Sequence, residues 1–193
     1  MKIIKLLLNP FKWLQERTLL IIGLIGFVLS ICISHFCDVE FQVLRMNPLN
    51  EVTIGKALFN QFLITAVLSL FFFVAGKIVN KKTRFVDIFN TVIIGFIPFY
   101  LIGLQNINHF QTREVEAMNQ AMLEGGIYAA MPSALFIIIS LISLPIIVYY
   151  IYLFVTGFKT ATHSKKAIHY VAFTLALIIA DLVASYTINS LNF

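Results

Sequence analysis

One acidic residue stands in the middle of a long apolar stretch and is the residue best placed for chemistry. Asp181 lies about midway between Ala167 and Ile188, where an acid costs roughly 2.5 to 3.5 kcal/mol on insertion scales. It is therefore either a proton or cation site, or a packing residue hydrogen-bonded to Ser185 one turn later or to neighbouring helices. We favour packing, because no second acid is expected to be buried with it. Asn60 and Gln61 are weaker candidates for the same interior network.

No other residues have the spacing of a catalytic or metal site. Four histidines, His35, His109, His163 and His169, fall in or beside different loops, which disfavours a shared metal site. His163 and His169 flank a charged turn and are candidates for pH sensing. The sequence contains no GxxxxGK[ST], GxGxxG, HExxH or GxSxG motif. We therefore predict that the protein is not an enzyme and holds no cofactor or metal.

The composition is that of a membrane protein. Of the 193 residues, 60% are hydrophobic and 12% are charged, whereas a soluble domain usually carries about 25% charged residues. The apolar stretches are continuous and do not alternate in twos, which favours helices over a β-barrel. We predict an all-α polytopic membrane helical bundle at 18–193, preceded by an interfacial segment at 1–17. The five expected transmembrane helices are Thr18 to Phe36, Ala57 to Gly76, Ile88 to Ile107, Ile127 to Phe158, and Ala167 to Ile188.

Prolines are expected to shape two of these spans. The fourth is too long for one straight crossing and contains Pro132 and Pro145. We expect either a kink at Pro145 or an interfacial turn near Pro132. Pro98 is expected to bend the third span and to free a backbone carbonyl. Between these two spans, the polar loop from Gln105 to Gly126 predicts a short helix around Arg113 to Leu123.

The distribution of basic residues predicts the orientation, because short loops rich in Lys and Arg stay on the cytoplasmic side. With the N-terminus inside and the C-terminus outside, only Arg45, Lys56 and Arg113 of the 14 basic residues lie on the far side. In this topology KTATHSKK, from Lys159 to Lys166, is the last cytoplasmic turn of a helical hairpin. Gly157 is expected to help end the helix before this turn, and Ser164 to cap the next one.

The cytoplasmic loops also predict a docking face for partners. Its candidate residues are Lys81, Lys82, Arg84, Lys159, Lys165 and Lys166. Besides the lipid bilayer, the expected partners are anionic lipids and membrane or cytoplasmic proteins. The net charge of +5 does not indicate nucleic-acid binding, because no basic face interleaved with aromatics lies outside the spans.

These observations favour a non-enzymatic membrane scaffold or adaptor. The alternative is a small transporter or channel that uses Asp181 in a polar path between kinked helices. An intramembrane enzyme is the least favoured function, because one acid and scattered histidines form no acid/base or metal pair. The sequence does not indicate an oligomeric state.

The stretch YYIYLFVTGFKTATHSKKAIHY, Tyr149 to Tyr170, resembles the Yip family (Ypt/Rab-interacting proteins) and its bacterial relatives. In that family the fourth span ends in tyrosines and a Gly, followed by a hydrophobic residue and Lys, and a short His, Ser and Lys-Ala segment opens the fifth. The segment from Gly76 to Phe99, with Pro98, and NPFKWLQER near the N-terminus are similar to family members as well. The matching positions are Tyr149, Tyr150, Tyr152, Gly157, Phe158, Lys159, His163, Ser164, Lys166 and Ala167.

The resemblance implies a five-span membrane domain and no established reaction. Eukaryotic members are adaptors that bind Rab GTPases through a long cytoplasmic N-terminal region with an acidic Asp-Leu-Tyr-Gly-Pro-like motif. This sequence has only residues 1–17 before its first span and lacks that motif. Rab binding is therefore not expected, and the resemblance favours a bacterial cytoplasmic (inner) membrane.

Overall fold

The computed structural model is predominantly helical and describes residues 2–125, 131–164 and 166–190. Two short helices at the N-terminus precede the long ones, and a two-stranded antiparallel sheet lies between α3 and α4. The elements are α1 (Lys2–Leu8), α2 (Pro10–Trp13), α3 (Glu16–Phe36), β1 (Val39–Phe41), β2 (Met46–Pro48), α4 (Ile54–Val79), α5 (Phe85–Gly95), α6 (Ile97–Gly103), α7 (Phe110–Gly125), α8 (Ala134–Thr162) and α9 (Ile168–Ser190).

Five helical stretches in the described residues are long and apolar enough to cross a membrane. They are α3, α4, the stretch Phe85–Gly125 (which contains α5 to α7), α8 and α9, and they match the five predicted spans in order. About 20 apolar residues suffice to cross the hydrocarbon core, and uninterrupted apolar runs of that length need the internal hydrogen bonds of a helix in lipid. The prediction of five transmembrane-length helices is therefore confirmed.

The third span is divided where the sequence predicted a bend. α5 ends at Gly95 and α6 begins at Ile97, with Pro98 in its first turn. Proline has no N–H to donate and is tolerated at this position of a helix. A 3-10 turn from Leu104 to His109 follows and leads into α7, which includes the short helix predicted around Arg113 to Leu123.

The fourth span begins later and ends later than predicted. Ser133 caps α8 through a hydrogen bond to the Phe136 N–H at 3.2 Å, so the helix starts just after Pro132 and runs without a break past Pro145. Residues 127–130 of the predicted span lie outside the described residues. Gly157 does not end the helix, contrary to the prediction, because the chain stays helical until Thr162.

The turn after α8 ends the helix in a different way. His163 adopts a left-handed conformation with φ of 51°, and the Ser164 N–H donates to the Lys159 carbonyl at 3.2 Å. Ser164 was predicted to cap the next helix. Its hydroxyl instead lies 3.0 Å from Nδ1 of His169 inside α9, so it joins the turn to the first turn of that helix.

A short β-hairpin, which the sequence analysis did not predict, occupies the interior of the bundle. β1 pairs with β2 with Val39 opposite Pro48 and Phe41 opposite Met46. The side chains of Val39, Phe41 and Val43 are 0 to 2% exposed. The Phe41 ring centroid lies 5.4 Å from that of Tyr100 in α6. The segment is therefore not the solvent-facing loop that the prediction assumed between the first two spans.

The base of the hairpin is fixed by polar contacts. The buried Asn106 donates from Nδ2 to the Cys37 carbonyl at 2.7 Å, and its Oδ1 accepts from the Thr112 N–H at 3.0 Å. Asp38, with a positive φ of 49°, accepts the Val52 N–H at 2.7 Å. These contacts hold the two ends of the hairpin segment close together, so the strands turn inward between the helices.

The hairpin also explains the arrangement of the last two helices. α9 packs mainly on α4 and only sparsely on α8, while α5 and α6 pack against α3 and α8. Tyr150 of α8 contacts the hairpin from one side, and Asp181 of α9 contacts it from the other. Spans four and five, α8 and α9, were predicted to form a helical hairpin. In the structure both helices contact the β-hairpin, and they pack only sparsely on each other.

An aromatic cluster forms another part of the core. Phe72 of α4 is fully buried, with ring centroids at 5.6 Å from Phe154, 5.8 Å from Phe158 and 5.0 Å from Phe173. Such tilted and edge-to-face pairs contribute about 0.5 to 1.5 kcal/mol each beyond area burial. Because its partners come from α8 and α9, Phe72 joins three spans towards the end of the bundle opposite the hairpin.

Candidate functional site

Asp181 is not isolated in the bundle but is bound to the tip of the hairpin. Its Oδ1 accepts the Leu44 N–H at 3.1 Å, and its Oδ2 lies 3.6 Å from Nη2 of Arg45. The side chain of Asp181 is 13% exposed and that of Arg45 is 53% exposed. The carboxylate therefore accepts the backbone N–H of Leu44 and balances the positive charge of Arg45, both of which lie in the turn of the hairpin.

A chain of hydrogen bonds extends from this ion pair along the hairpin. Ser185 accepts from Nη2 of Arg45 at 3.0 Å and donates to Oε1 of Gln42 at 2.8 Å. Gln42 donates to Oε1 of Glu40 at 3.2 Å, and Glu40 pairs with Lys56 at 3.5 Å. Buried polar groups cost little only when they are partnered in this way.

Several of these residues were missed or misjudged in the sequence analysis. Glu40 is 6% exposed, so the expectation that no second acid is buried beside Asp181 was wrong. The overlooked signal is the alternation of Val39, Phe41 and Val43 with Glu40 and Gln42, which is typical of a β-strand. Arg45, the basic partner of Asp181, was placed in an outer loop. The two residues are 136 positions apart (181 − 45), so the sequence did not indicate that they pair.

Asn60 and Gln61 are buried in α4, as the interior-network prediction requires, but neither is hydrogen-bonded to Asp181 among the described residues. Gln61 donates from Nε2 to the Tyr100 hydroxyl and lies 3.4 Å from Oγ1 of Thr65. Nδ2 of Asn60 and Oε1 of Gln61 have no hydrogen-bond partner among the described residues. Gln61 and Tyr100 therefore form a polar contact between α4 and α6, away from the hydrogen bonds at the hairpin tip.

The candidate docking residues meet at one end of the bundle, which we call the basic end and define by residues 77–84 and 159–166. Two turns form it, and Nδ2 of Asn80 joins them by donating to the Thr162 carbonyl at 3.1 Å. In the described part of the chain, five exposed lysines lie at this end, and one of them, Lys77, donates to the Lys81 carbonyl at 3.0 Å. No ion pair within the described residues involves the other four. They are Lys81, Lys82, Lys159 and Lys166; Lys165 lies outside the described residues.

Arg84 differs from these lysines because its charge is already balanced. Its guanidinium pairs with both oxygens of Asp87, at 2.9 Å from Nε and 2.6 Å from Nη2, and with Glu16 at 2.8 Å. These hydrogen bonds, first to Asp87 and then to Glu16, raise the pKa of Arg84 above its ordinary value. The pairing is exposed and contributes little to stability, but it joins α3 to α5. Arg84 is therefore not one of the unpaired cations of the basic end.

A polar cleft of about 370 Å³ lies beside Arg84 at the basic end. Its polar lining includes Glu16, Arg84, Asp87, Asn90 and His163. Gly157 is required on the apolar wall, because a Cβ there would lie 2.4 Å from Cγ2 of Thr91. The glycine that the sequence analysis took for a helix end is thus a close-packing position between α8 and α5.

The cleft and the hairpin network differ in what they can do chemically. Among the described residues, no group of three or more His, Cys, Asp or Glu is placed to hold a metal ion. The hairpin network is extensively paired internally, whereas the basic end presents free lysines and an open cleft. These free lysines and this open cleft make the basic end a candidate binding region.

Comparisons with protein-family models, with curated proteins and with solved structures found no match. The resemblance to the Yip family therefore stays a prediction from the quoted residues.

Proposed function

We propose that the chain is a non-enzymatic membrane scaffold whose basic end docks acidic partners, either anionic lipid headgroups or acidic protein segments. The observation that carries this proposal is the group of exposed lysines Lys81, Lys82, Lys159 and Lys166, which have no acid partner in the described part of the chain. Near an anionic membrane surface, each such lysine contributes about 1 kcal/mol of attraction.

The proposal includes an orientation and a location. With the N-terminus inside and the C-terminus outside, the basic end faces the cytoplasm, as expected for short loops rich in Lys and Arg. The Yip-like residues around the turn from Lys159 to Lys166 favour a bacterial cytoplasmic membrane. Rab binding is not part of the proposal.

The alternative function, a small transporter that uses Asp181, has less support. A transport site needs a polar group that can exchange partners with its cargo, whereas Asp181 already accepts the Leu44 N–H and faces Arg45. Because the same carboxylate positions the hairpin, releasing it for a proton or cation would also release a buried element. We therefore assign this residue an architectural role in the scaffold.

Crosslinking in native membranes tests the docking proposal. The four-lysine variant, with Lys81, Lys82, Lys159 and Lys166 all changed to Gln, is expected to retain about one tenth or less of the crosslinked partner of the wild type. This follows from losing several contributions of about 1 kcal/mol each, where 1.4 kcal/mol is a tenfold change in affinity. The readout is the amount of partner protein and of anionic lipid recovered per folded molecule, with the two identified separately.

Arg113→Gln is the matched control, because it removes an exposed positive charge from α7, outside the basic end. It is expected to leave the recovery of partners unchanged. Equal recovery from the wild type and the four-lysine variant, with topology retained, would reject the basic end as a docking surface.

A further inference from the structure

The polar cleft at the basic end has an excess of acceptor groups. Its charged lining consists of the carboxylates of Glu16 and Asp87 and the single guanidinium of Arg84. Two negative charges against one positive charge leave an excess of one negative charge beside His163. The lining therefore offers acceptors to a cation with N–H donors.

A buried amide in the wall of this cleft has an unused acceptor. Asn90 is 2% exposed and lines the cleft, and its Oδ1 has no hydrogen-bond partner among the described residues. Its Nδ2 donates to the Glu16 carbonyl at 3.4 Å, which orients the amide. A buried acceptor without a partner costs about 1 to 3 kcal/mol, so a donor brought by a ligand would remove this cost.

An apolar groove adjoins the cleft and extends towards the middle of the spans. It has a volume of about 480 Å³ and is lined by residues of α3, α6 and α8, among them Ile22, Ile97 and Ile146. Leu14 lines both the groove and the polar cleft. The groove lies at the depth of the membrane-spanning helices, whereas the cleft lies where α3 and α5 begin and α8 ends.

The N-terminal segment encloses the junction of the two cavities. Leu6, Leu7 and Pro10 line the groove, and the Tyr149 hydroxyl holds this segment in place by donating to the Leu7 carbonyl at 2.7 Å. On the other side of the segment, Phe11 lines the cleft. An amphiphile bound here would have its polar group in the cleft and an acyl chain in the groove.

We propose that the cleft and groove form a binding site for one phospholipid with a primary-amine headgroup, such as phosphatidylethanolamine. Its ammonium has three N–H donors, which suit the carboxylates of Glu16 and Asp87 and Oδ1 of Asn90. The trimethylated headgroup of phosphatidylcholine keeps the charge but has no N–H to donate. The glycerol headgroup of phosphatidylglycerol has no cation to balance the carboxylates. The site is separate from the docking lysines, none of which lines the cleft.

The only tryptophan of the chain provides the assay. Trp13 directly precedes Leu14, the residue shared by the cleft and the groove, so a lipid with brominated acyl chains bound there will quench its fluorescence. The full chain in nanodiscs of unbrominated phosphatidylcholine is titrated with brominated phosphatidylethanolamine, phosphatidylcholine or phosphatidylglycerol. We expect about a tenfold preference for phosphatidylethanolamine over the other two, the effect of one hydrogen bond to a charged group.

Two variants connect the preference to the cleft. Asn90→Leu removes the unpartnered acceptor at similar volume, and Asp87→Asn removes one carboxylate at the less buried rim; each is expected to reduce the preference to about threefold or less. Asn60→Leu is the matched control, because Asn60 is also a buried asparagine with an unpartnered amide atom but does not line the cleft.

Three results would overturn the site. They are equal quenching by the three brominated lipids, a preference for phosphatidylglycerol, and an unchanged preference in both cleft variants. The four-lysine variant is expected to keep the full preference, so this test can fail without affecting the docking proposal, and the docking proposal can fail without affecting this one.

Discussion

Replacing Asp181 with alanine is expected to lower the free energy of unfolding by about 2 to 3 kcal/mol. Removing one member of a buried ion pair costs about 3 to 5 kcal/mol, and the half-exposed side chain of Arg45 reduces this through screening. The same change leaves the Leu44 N–H without its acceptor. Unfolding in mixed micelles by titration with a denaturing detergent measures the effect.

Two further variants separate the charge from the hydrogen bond. Asp181→Asn keeps an oxygen that can accept the Leu44 N–H and is expected to cost about half as much as the alanine variant. Combining Asp181→Ala with Arg45→Leu is expected to recover part of the loss, because it also removes the unpaired cation. If Asp181→Ala unfolds at the same denaturant concentration as the wild type, the carboxylate does not support the hairpin.

Replacing Phe72 with alanine is expected to have a larger effect, about 3 to 5 kcal/mol of lost stability. The ring is fully buried and contacts Phe154, Phe158 and Phe173 from the two last spans. Lipid tails are as apolar as a protein core, so this cost arises from the cavity and lost packing. The same unfolding titration measures it.

Phe62→Ala is the matched control for this prediction. Phe62 lies on the same helix but is 65% exposed, and in a membrane its surroundings would be lipid chains that refill the space. We expect a change of about 0.5 kcal/mol or less, typical of exposed positions. Equal losses in the two phenylalanine variants would show that α4 is not held by the aromatic cluster.

The long helices could be predicted from the sequence because they depend on local properties of the chain. Continuous apolar runs require helices in lipid, and the prolines indicated the division before Pro98 and the start of α8 after Pro132. The ends were less accurate. Gly157 was predicted to end a helix, but in the structure it allows close contact with Thr91 of another helix. Spacing along the chain does not reveal such a contact.

The hairpin could not be placed from composition, because its position depends on distant partners. A polar segment between two spans is ordinarily a loop outside the membrane. Here contacts with distant helices, such as those of Leu44 with α9 and of Val43 with α8, bring it between the helices of the bundle. The alternating pattern from Val39 to Val43 indicated a strand. Nothing in that pattern indicated which helices would enclose it.

The candidate docking residues in the described part of the chain lie together at one end of the bundle, but local sequence did not indicate their individual states. Lys81, Lys82, Lys159 and Lys166 are exposed at the basic end. Arg84 is paired with Asp87 and Glu16, a bridge between α3 and α5 that depends on tertiary structure. The polar cleft depends on the same packing of distant helices, so no local sequence motif predicts it.

Hydrogen–deuterium exchange of the backbone of residues 39–48 in lipid nanodiscs, compared between the wild type and Asp181→Ala, measures whether the polar groups of the bundle hold the hairpin in place. We expect slow exchange in the wild type, comparable to that of α4, and faster exchange confined to this segment in the variant. Rapid exchange in the wild type, as in an exposed loop, would show that the hairpin is not held between the helices.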